Sequence, residues 1–190
     1  WLMPHASVSQ AKDHTNETRR LATLLEISQA LSGVLNLKAA LHSVLDILER
    51  RHQVAGGAVQ LADREHKDAC GIKLPGQRSR NRGEGSAVTE RVMDSAKSVV
   101  VPRVSQEPNL APPAGARGDH QRELSFVAVP IILGRRPAGT IEVVLPFKSD
   151  RDYQRSLEFY RVVASMIAQA IKVSRMVEAD RHKLAEENEH

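Results

Sequence analysis

The strongest strand signal in the chain lies in SFVAVPIIL (Ser125–Leu133) and AGTIEVVLPF (Ala138–Phe147), which are joined by GRRP (Gly134–Pro137). Both segments are rich in β-branched and other apolar residues, and the joining segment contains a glycine and a proline, which favour turns. Two such runs connected by a short turn predict a β-hairpin. We interpret the segments on both sides of this hairpin from their own hydrophobic spacing.

Two amphipathic helices are predicted near the N-terminus. Residues 1–16 show no periodicity and are predicted to be a disordered tail or vector-derived residues. A helix that Thr15 or Asn16 caps follows, because apolar residues then recur at steps of three and four. Its predicted inner face comprises Leu21, Leu24, Leu25, Ser28, Leu31 and Leu35. After a break, the same spacing resumes at Leu37 on a second helix that ends near His52.

Shorter elements are predicted between these helices and the hairpin. Apolar runs at Ala58–Leu61 and Ala69–Leu74 indicate a strand, a turn and a second strand. A helix capped by Ser86 follows, and Val99–Val101 is predicted to be a further strand. The segment Pro102–Pro113 carries four prolines, too many for a regular element, and we expect it to form a mobile cover.

After the hairpin, a helical pattern without proline or glycine follows Ser149 or Asp150, the predicted caps. Its apolar residues form two stripes about 120° apart, and one sheet cannot cover both. The first stripe, predicted to pack on the domain's own sheet, comprises Leu157, Tyr160, Ala164, Ile167 and Ile171. The second has coiled-coil spacing and comprises Val163, Met166, Ala170, Val173, Val177 and Leu184. This second stripe predicts a parallel homodimer through the terminal helices. The alternative is one wide apolar face buried within a single domain, because Asp180 and Glu187 interrupt the stripe.

The composition excludes several functional classes. The 190 residues include 27 Lys and Arg against 23 Asp and Glu, and the net charge of +4 is modest for a nucleic-acid-binding protein. Only 3% of residues are aromatic, which leaves no stacking platform for single-stranded nucleic acid. The single cysteine, Cys70, excludes an intramolecular disulfide and metal sites that need several thiolates. The apolar runs are shorter than the ~20 residues of a membrane span, and no signal peptide is recognised. We therefore expect a cytoplasmic protein without membrane contact.

No catalytic or metal site is predicted. The eight histidines are scattered, and neither a nucleophile elbow, a zinc-binding HExxH motif nor a phosphate-binding loop occurs in the sequence. His42 and His52 lie nearly three helical turns apart on the second helix, too far for one metal ion. We expect a protein that is not an enzyme and holds no resident cofactor.

One segment has the chemistry of an anion site. A basic loop leads into Gly83-Glu84-Gly85-Ser86 at a helix start, where unpaired N–H groups attract anions, and arginine adds bidentate contacts to a carboxylate. A dicarboxylate or phosphate effector would fit. The candidate effector-binding residues are Arg80, Arg82, Glu84, Ser86, Thr89, Arg117, Arg122 and Ser125. The alternative is a tight glycine turn with Ser86 as the cap and solvated arginines.

Taken in order, these motifs resemble the GAF domain, and more narrowly the regulatory GAF domain of NifA-type, sigma-54-dependent transcriptional activators. The residues that carry the resemblance are Leu24–Ser28 with Leu31, Ser32 and Leu37, Gly83–Gly85, Val99–Pro102, Ser125–Ile131, Gly139–Ile141 and Val163–Ala170. The resemblance implies an α+β fold. Its antiparallel sheet of five or six strands has the N-terminal and C-terminal helices on one face and loops or short helices on the other. It assigns residues 17–172 to the sensory domain and residues 173–190 to a signalling or linker helix.

The resemblance also implies a regulatory function. Such domains respond to a nitrogen or carbon signal, for example 2-oxoglutarate, a PII-type signalling protein or an anti-activator, and change how the exit helix presents an ATPase domain. Contacts with sigma-54 RNA polymerase and DNA belong to domains absent from this sequence, which implies a regulatory fragment. Two departures fall where the pocket and its cover are expected: Val88 stands where the family usually has glycine, and Glu107–Leu110 stands in place of Asp-Pro-Arg-Phe. They leave open the alternative of a structural dimerisation module whose pocket binds nothing.

Overall fold

The computed structural model describes residues 5–33, 36–62, 70–71, 87–107 and 123–188. A 3-10 turn, Val104–Gln106, accompanies the helices and strands of these ranges. The helices are α1 (His5–Leu31), α2 (Leu37–His52), α3 (Ala87–Ser95) and α4 (Tyr153–Asn188). The strands are β1 (Gly56–Leu61), β2 (Cys70–Gly71), β3 (Val99–Val101), β4 (Leu124–Leu133) and β5 (Arg136–Pro146). Within the same ranges, no helix combines the length and apolar character that crossing a membrane requires.

The five strands form one antiparallel sheet in the order β2-β1-β5-β4-β3. The predicted hairpin is confirmed: β4 and β5 pair from Leu124 opposite Pro146 to Leu133 opposite Arg136. Gly134 turns the chain between them with a φ of 65°, a left-handed conformation that glycine adopts without steric cost. The strand number within the described ranges agrees with the predicted five or six, and the α+β class is confirmed.

The two faces of the sheet are covered differently. Successive residues of a strand point to opposite faces. On one side, here called the helix face, α4 packs on β4 and β5, and α1 and α2 complete the layer. On the other side, here called the α3 face, α3 packs over β5 and β4. This is the layering expected from the resemblance.

The larger hydrophobic core lies on the helix face. Each fully buried aliphatic side chain contributes roughly 1.5–3 kcal/mol relative to an exposed one. The largest contributors from the helices are Ile27, Leu41, Leu45, Leu48, Ile167 and Ile171, and those from the strands are Ile131, Ile141 and Leu145. A smaller core under α3 comprises Val88, Val92, Val101, Phe126, Ala128 and Val144. The sheet is therefore buried on both sides where β4 and β5 pair.

The prediction of a disordered tail is wrong for residues 5–16. Helix α1 begins at His5, so Thr15 and Asn16 lie inside it and do not cap it. The hydroxyl of Thr15 donates to the carbonyl oxygen of Ala11 at 2.9 Å, which satisfies it within the helix. No glycine or proline interrupts residues 5–32, so the helix extends past the part that packs on the domain.

The inner face of α1 also differs from the predicted one. Thr23 and Ile27 are fully buried, whereas Leu21 and Leu25 are each 63% exposed. Thr23 is accepted in the interior because its hydroxyl donates to the carbonyl oxygen of Arg19 at 2.7 Å. The face predicted from the leucine spacing is therefore rotated around the helix axis, by about one residue, from the face that packs in the structure.

Two helix starts are fixed by side-chain caps. The carboxamide oxygen of Asn36 accepts the N–H of Ala39 at 3.1 Å at the start of α2. At α4 the cap is Asp152, whose carboxylate accepts the N–H of Arg155 at 3.1 Å, and not Ser149 or Asp150 as predicted. The predicted Ser86 cap, the remainder of the second predicted strand and residues 108–113 of the proline-rich segment lie outside the described residues.

Gly139 marks the place where β1 and β5 leave no room for a side chain. A Cβ atom there would overlap the carbonyl oxygen of Gln60 and lie 3.1 Å from the Cα of Leu61. Because backbone atoms must move to relieve this clash, we expect Gly139→Ala to lower the free energy of unfolding by about 2–4 kcal/mol in urea denaturation.

Gly134→Asn is the matched control for this substitution. Gly134 has a φ of +65° and open space around its missing Cβ, and asparagine tolerates the left-handed conformation. We expect a cost below about 1 kcal/mol. Equal losses in the two variants would show that the close approach of β1 and β5 is unimportant.

Candidate effector site and exit helix

A buried polar cluster interrupts the apolar α3 face. The β1–β5 register places Gln60 opposite Thr140 and Ala58 opposite Glu142, and cross-strand partners share a face of the sheet. Thr89 joins them because α3 packs over β5. Thr89, Thr140 and Glu142 are buried, and Gln60 is half-buried. We call Gln60, Thr89, Thr140 and Glu142 the Glu142 cluster.

The two carboxylate oxygens of Glu142 have unequal partners. The hydroxyl of Thr89 donates a short hydrogen bond to Oε1, and the hydroxyl of Thr140 donates to the same oxygen at 3.4 Å. Oε2 receives the amide Nε2 of Gln60 at 3.4 Å, which is long for a hydrogen bond. Among the residues that the structure describes, the second oxygen is therefore the less well satisfied one.

Burial raises the pKa of Glu142 above that of an ordinary glutamate. The hydroxyls of Thr89 and Thr140 act in the opposite direction, because they donate to the ionised form, but they do not outweigh the loss of hydration. An ionised carboxylate is costly to bury without a full set of partners. A buried titratable group with a perturbed pKa is a common mark of a functional site.

The structure describes two of the eight predicted effector-binding residues. Thr89 belongs to the Glu142 cluster. Ser125 does not, because the alternation along β4 places it on the helix face with Val127. Its hydroxyl donates to the carbonyl oxygen of Pro102 at 2.8 Å and lies 3.0 Å from the hydroxyl of Tyr153. The prediction that Ser125 shares a site with Thr89 is therefore wrong. The other six, Arg80, Arg82, Glu84, Ser86, Arg117 and Arg122, lie outside the described residues.

Helix α4 divides into a packed root and a projecting end. The first predicted stripe is confirmed at the root: Leu157 is partly buried, and Tyr160, Ala164, Ile167 and Ile171 are buried. From residue 172 to residue 188, no side chain is buried. At 1.5 Å per residue, this end extends roughly 25 Å beyond the last buried turn.

The second predicted stripe is split between these two parts. Val163 is fully buried in the core of the helix face, so its assignment to a dimer interface is wrong; Met166 packs against the same core, and Ala170 is half-buried. The reason is that α1 also packs on α4 and widens its covered arc. The exposed remainder of the predicted stripe is Val173, Val177 and Leu184. Two further exposed apolar residues, Val162 and Met176, lie on the same side of the helix. We call these five residues the exit stripe.

His52 ties the root of α4 to α1 and α2. Its ring centroid lies 4.6 Å from that of Phe159, and its Nε2 lies 2.9 Å from the hydroxyl of Thr23. Since the Thr23 hydroxyl donates to the carbonyl oxygen of Arg19, it accepts the N–H of the His52 Nε2 atom. Burial, with nearby arginines adding to it, lowers the pKa of His52 to about 4. The three helices therefore meet at an uncharged joint at neutral pH.

A family model described as the GAF domain matches residues 29–172. The chain belongs to the GAF domain family. Within the part of this GAF domain that the structure describes, no group of three or more His, Cys, Asp and Glu residues could hold a metal ion.

Among curated proteins, this GAF domain is similar to nitrogen-fixation regulators. It is 23% identical over 175 residues to nitrogen fixation protein AnfA of Azotobacter vinelandii, a match that covers 90% of this chain and 33% of AnfA. It is 26% identical over 181 residues to the Nif-specific regulatory protein of Herbaspirillum seropedicae, covering 92% of this chain and 33% of that protein. The chain thus spans about a third of the length of these relatives.

Solved structures share the GAF fold with this chain. The nlh2 GAF domain of A. aeolicus in an inactive state has a TM-score of 0.64 at 16% identity, covering 83% of this chain and 98% of that chain. The free methionine-R-sulfoxide reductase from Neisseria meningitidis, in complex with its substrate, has a TM-score of 0.65 at 16% identity, covering 83% and 91%. Because one of these is an enzyme, the fold by itself does not decide whether a GAF domain is catalytic.

Sequence reasoning missed three members of the Glu142 cluster. Gln60, Thr140 and Glu142 were outside the predicted site, which was centred on the arginines of a loop. The available signal was a single glutamate inside the apolar run Thr140–Leu145 (TIEVVL). Charged residues are rarely buried, so a glutamate in a central strand marks a position with a specific role.

We expect Glu142→Gln to stabilise the unliganded GAF domain at pH 7. The pKa of Glu142 is raised in the folded state, so the folded protein holds its proton more tightly than the unfolded chain. Folding therefore becomes less favourable as the pH rises through the ordinary value of 4.5 towards the raised folded value. Removing the charge should raise the free energy of unfolding by about 1–2 kcal/mol at pH 7, and the gain should vanish in acid.

Urea denaturation of both proteins across this pH range measures the effect. Glu158→Gln is the matched control, because Glu158 is exposed on α4 and its replacement should change stability little. A loss of stability in Glu142→Gln at pH 7 would contradict the interpretation of a costly buried carboxylate.

Proposed function

We propose that this chain is the sensory domain of a nitrogen-fixation-type transcriptional activator. A small effector binds on the α3 face, and α4 passes the change to a following ATPase domain. The observation that carries the proposal is that about nine-tenths of this chain aligns with a nitrogen fixation protein and a Nif-specific regulatory protein of about three times its length. A regulatory, non-enzymatic role follows from the same relatives, whose names describe regulators and nitrogen-fixation proteins.

The α3 face supports the effector-binding part of the proposal. The Glu142 cluster combines buried polar groups from two strands and one helix, in a sheet whose other positions on that face are mostly apolar. Buried polar groups that converge on one point provide orientation and specificity for a small ligand. The arginines that the sequence places before α3 favour a dicarboxylate such as 2-oxoglutarate, and glutamine and nucleotides are further candidates.

A packed route supports signal transmission. On β5, Glu142 faces α3, while its chain neighbours Ile141 and Val143 belong to the same core as Ile167 and Ile171 of α4. Protein interiors are close-packed and resist local deformation, so a shift of β5 at the α3 face displaces the root of α4. The projecting end of a continuous helix then moves with its root.

The exit stripe supports pairing with a second copy of this chain. Ala170, Val177 and Leu184 recur at intervals of seven residues, and Val173 lies between them, which is coiled-coil spacing. Four large apolar side chains of the projecting end are 45–59% exposed on this one side. Asp180 interrupts the stripe and weakens the pairing, which suits a contact that a signal rotates or separates.

We expect Val177→Asp to give a folded monomer. A charge buried without a partner at a helix–helix contact costs several kcal/mol, whereas Val177 makes no buried contact within its own chain. Analytical ultracentrifugation reports the mass, and circular dichroism reports the helix content. Val173→Asp should act in the same way.

Ala179→Asp is the matched control for the pairing experiment. It adds the same charge two residues away, about 200° around the helix axis from Val177, and Ala179 is exposed. This variant should remain a dimer. Dissociation of all three variants, or a monomeric unmodified chain at high concentration, would rule out the exit stripe as the interface.

We expect at least one of 2-oxoglutarate, L-glutamine and a nucleotide to raise the melting temperature of this domain. By linkage, a ligand at about a hundred times its Kd adds about 2.7 kcal/mol to the free energy of unfolding, which corresponds to several degrees for a domain of this size. Differential scanning fluorimetry at millimolar ligand measures the shift.

A charge-removal variant tests the dicarboxylate arm of that experiment. If 2-oxoglutarate is the stabilising ligand, Arg82→Ala should abolish its effect and leave the circular dichroism spectrum unchanged, because the side chain acts through its bidentate contacts. A dimer that none of the ligands stabilises would instead favour a structural dimerisation module that binds no effector.

A further inference from the structure

The Glu142 cluster restricts the chemistry of its ligand. We propose that the effector of the α3 face presents an N–H donor group, of the amidine, amide or ammonium class, to Oε2 of Glu142, and that a carboxylate is not the group received there. This inference rests on the proposed function, in which the α3 face binds a small effector. Among the candidates named there, L-glutamine carries N–H donor groups and 2-oxoglutarate carries none, so the inference favours the former at this cluster. It names the class of chemical group that the described part of that face selects.

The first argument is the incomplete coordination of Glu142. Its Oε1 accepts from both threonine hydroxyls, whereas its Oε2 has a single contact of 3.4 Å with Gln60 among the described residues. Glu142 is nevertheless only 6% exposed, so water serves it poorly. A donor that approaches Oε2 completes the coordination of this carboxylate.

The second argument is the lower burial on the β1 side of that oxygen. The cross-strand neighbour of Glu142 is Ala58, whose methyl group covers less of the carboxylate than a larger side chain would. Thr140 and Glu142 on β5 are buried, whereas Ala58 and Gln60 on β1 are half-buried. Oε2, which Gln60 contacts from β1, therefore lies on the less buried side of the cluster.

The third argument is the polarity of the groups on this side of the cluster. When Nε2 of Gln60 donates to Glu142, the carboxamide oxygen of Gln60 is left as an acceptor. The ligand then meets two acceptors, one from each strand. A planar amidine or a primary amide offers two N–H donors that match them, whereas a carboxylate offers only acceptors and a like charge.

A pair of isosteric probes tests this inference. Acetamidinium chloride and sodium acetate have nearly the same shape and opposite hydrogen-bonding character. Each is added to the full 190-residue chain at tens of millimolar and pH 7, with sodium chloride at equal ionic strength as the reference. We expect acetamidinium to raise the melting temperature by about 2 °C or more relative to its effect on Glu142→Gln, and acetate to leave it unchanged.

Two further measurements localise the effect. Acetamidinium should lower the pH at which the carbon-13 resonance of the Glu142 carboxyl group titrates, because a donor stabilises the ionised form. Ala58→Leu should abolish both responses by covering Oε2, and Ala62→Leu, at an exposed position after the same strand, should retain them. These two variants keep both the carboxyl group and the threonine hydroxyls.

Three outcomes would overturn the inference. They are a stabilisation by acetate that depends on Glu142, an acetamidinium response of equal size in Glu142→Gln, and no response to either probe in the unmodified chain. The proposed function is judged separately by its own ligands. Stabilisation by 2-oxoglutarate that survives Glu142→Gln would uphold effector sensing while rejecting a donor ligand at this cluster.

Discussion

The alternation of side chains along β5 is the constraint on which the rest of the structure depends. Ile141, Val143 and Leu145 face the helix core, and Thr140, Glu142 and Val144 face α3. Because the strand is central and buried on both sides, neither layer can change its packing against β5 without the other. A slip of one residue would place Glu142 among the helices and is strongly disfavoured. A single strand thus fixes the α3 face and the root of α4 in one register.

The fold was predictable where local chemistry and packing agree. The hairpin has apolar, β-branched strands and a glycine turn, and both requirements are visible in 23 consecutive residues, 125–147. The root of α4 was predictable for the same reason, since Tyr160, Ala164, Ile167 and Ile171 follow the helical period on one face. By contrast, α1 begins before its predicted start. Once packing on the core has nucleated a helix, it continues through any residues that tolerate the helical conformation.

The candidate site was predictable only in part, because its position depends on strand register. Thr89 was found from its place at the start of a helix, but nothing in the one-dimensional pattern brings Gln60 next to Thr140, more than seventy residues away. Ser125, by contrast, was wrongly included in the site. It lies on β4, which pairs with β5, but its side chain points to the helix face, where its hydroxyl lies near that of Tyr153. Val163 was wrongly assigned to the dimer interface, because the sequence does not show how much of the α4 surface the packing of α1 covers.

Two features of the isolated chain lower its own stability, and they lie at the two ends of the proposed route. One is the carboxylate of Glu142, which is buried with an incomplete set of donors. The other is the exit stripe, whose apolar side chains face water. Packing alone would favour an apolar residue at the first position and polar residues at the second. Departures of this kind are expected at functional positions, where a bound partner supplies the missing contact. In the proposed function both are joined through β5 and the root of α4, so a ligand that completes the coordination of Glu142 would change the free energy of pairing at the exit stripe.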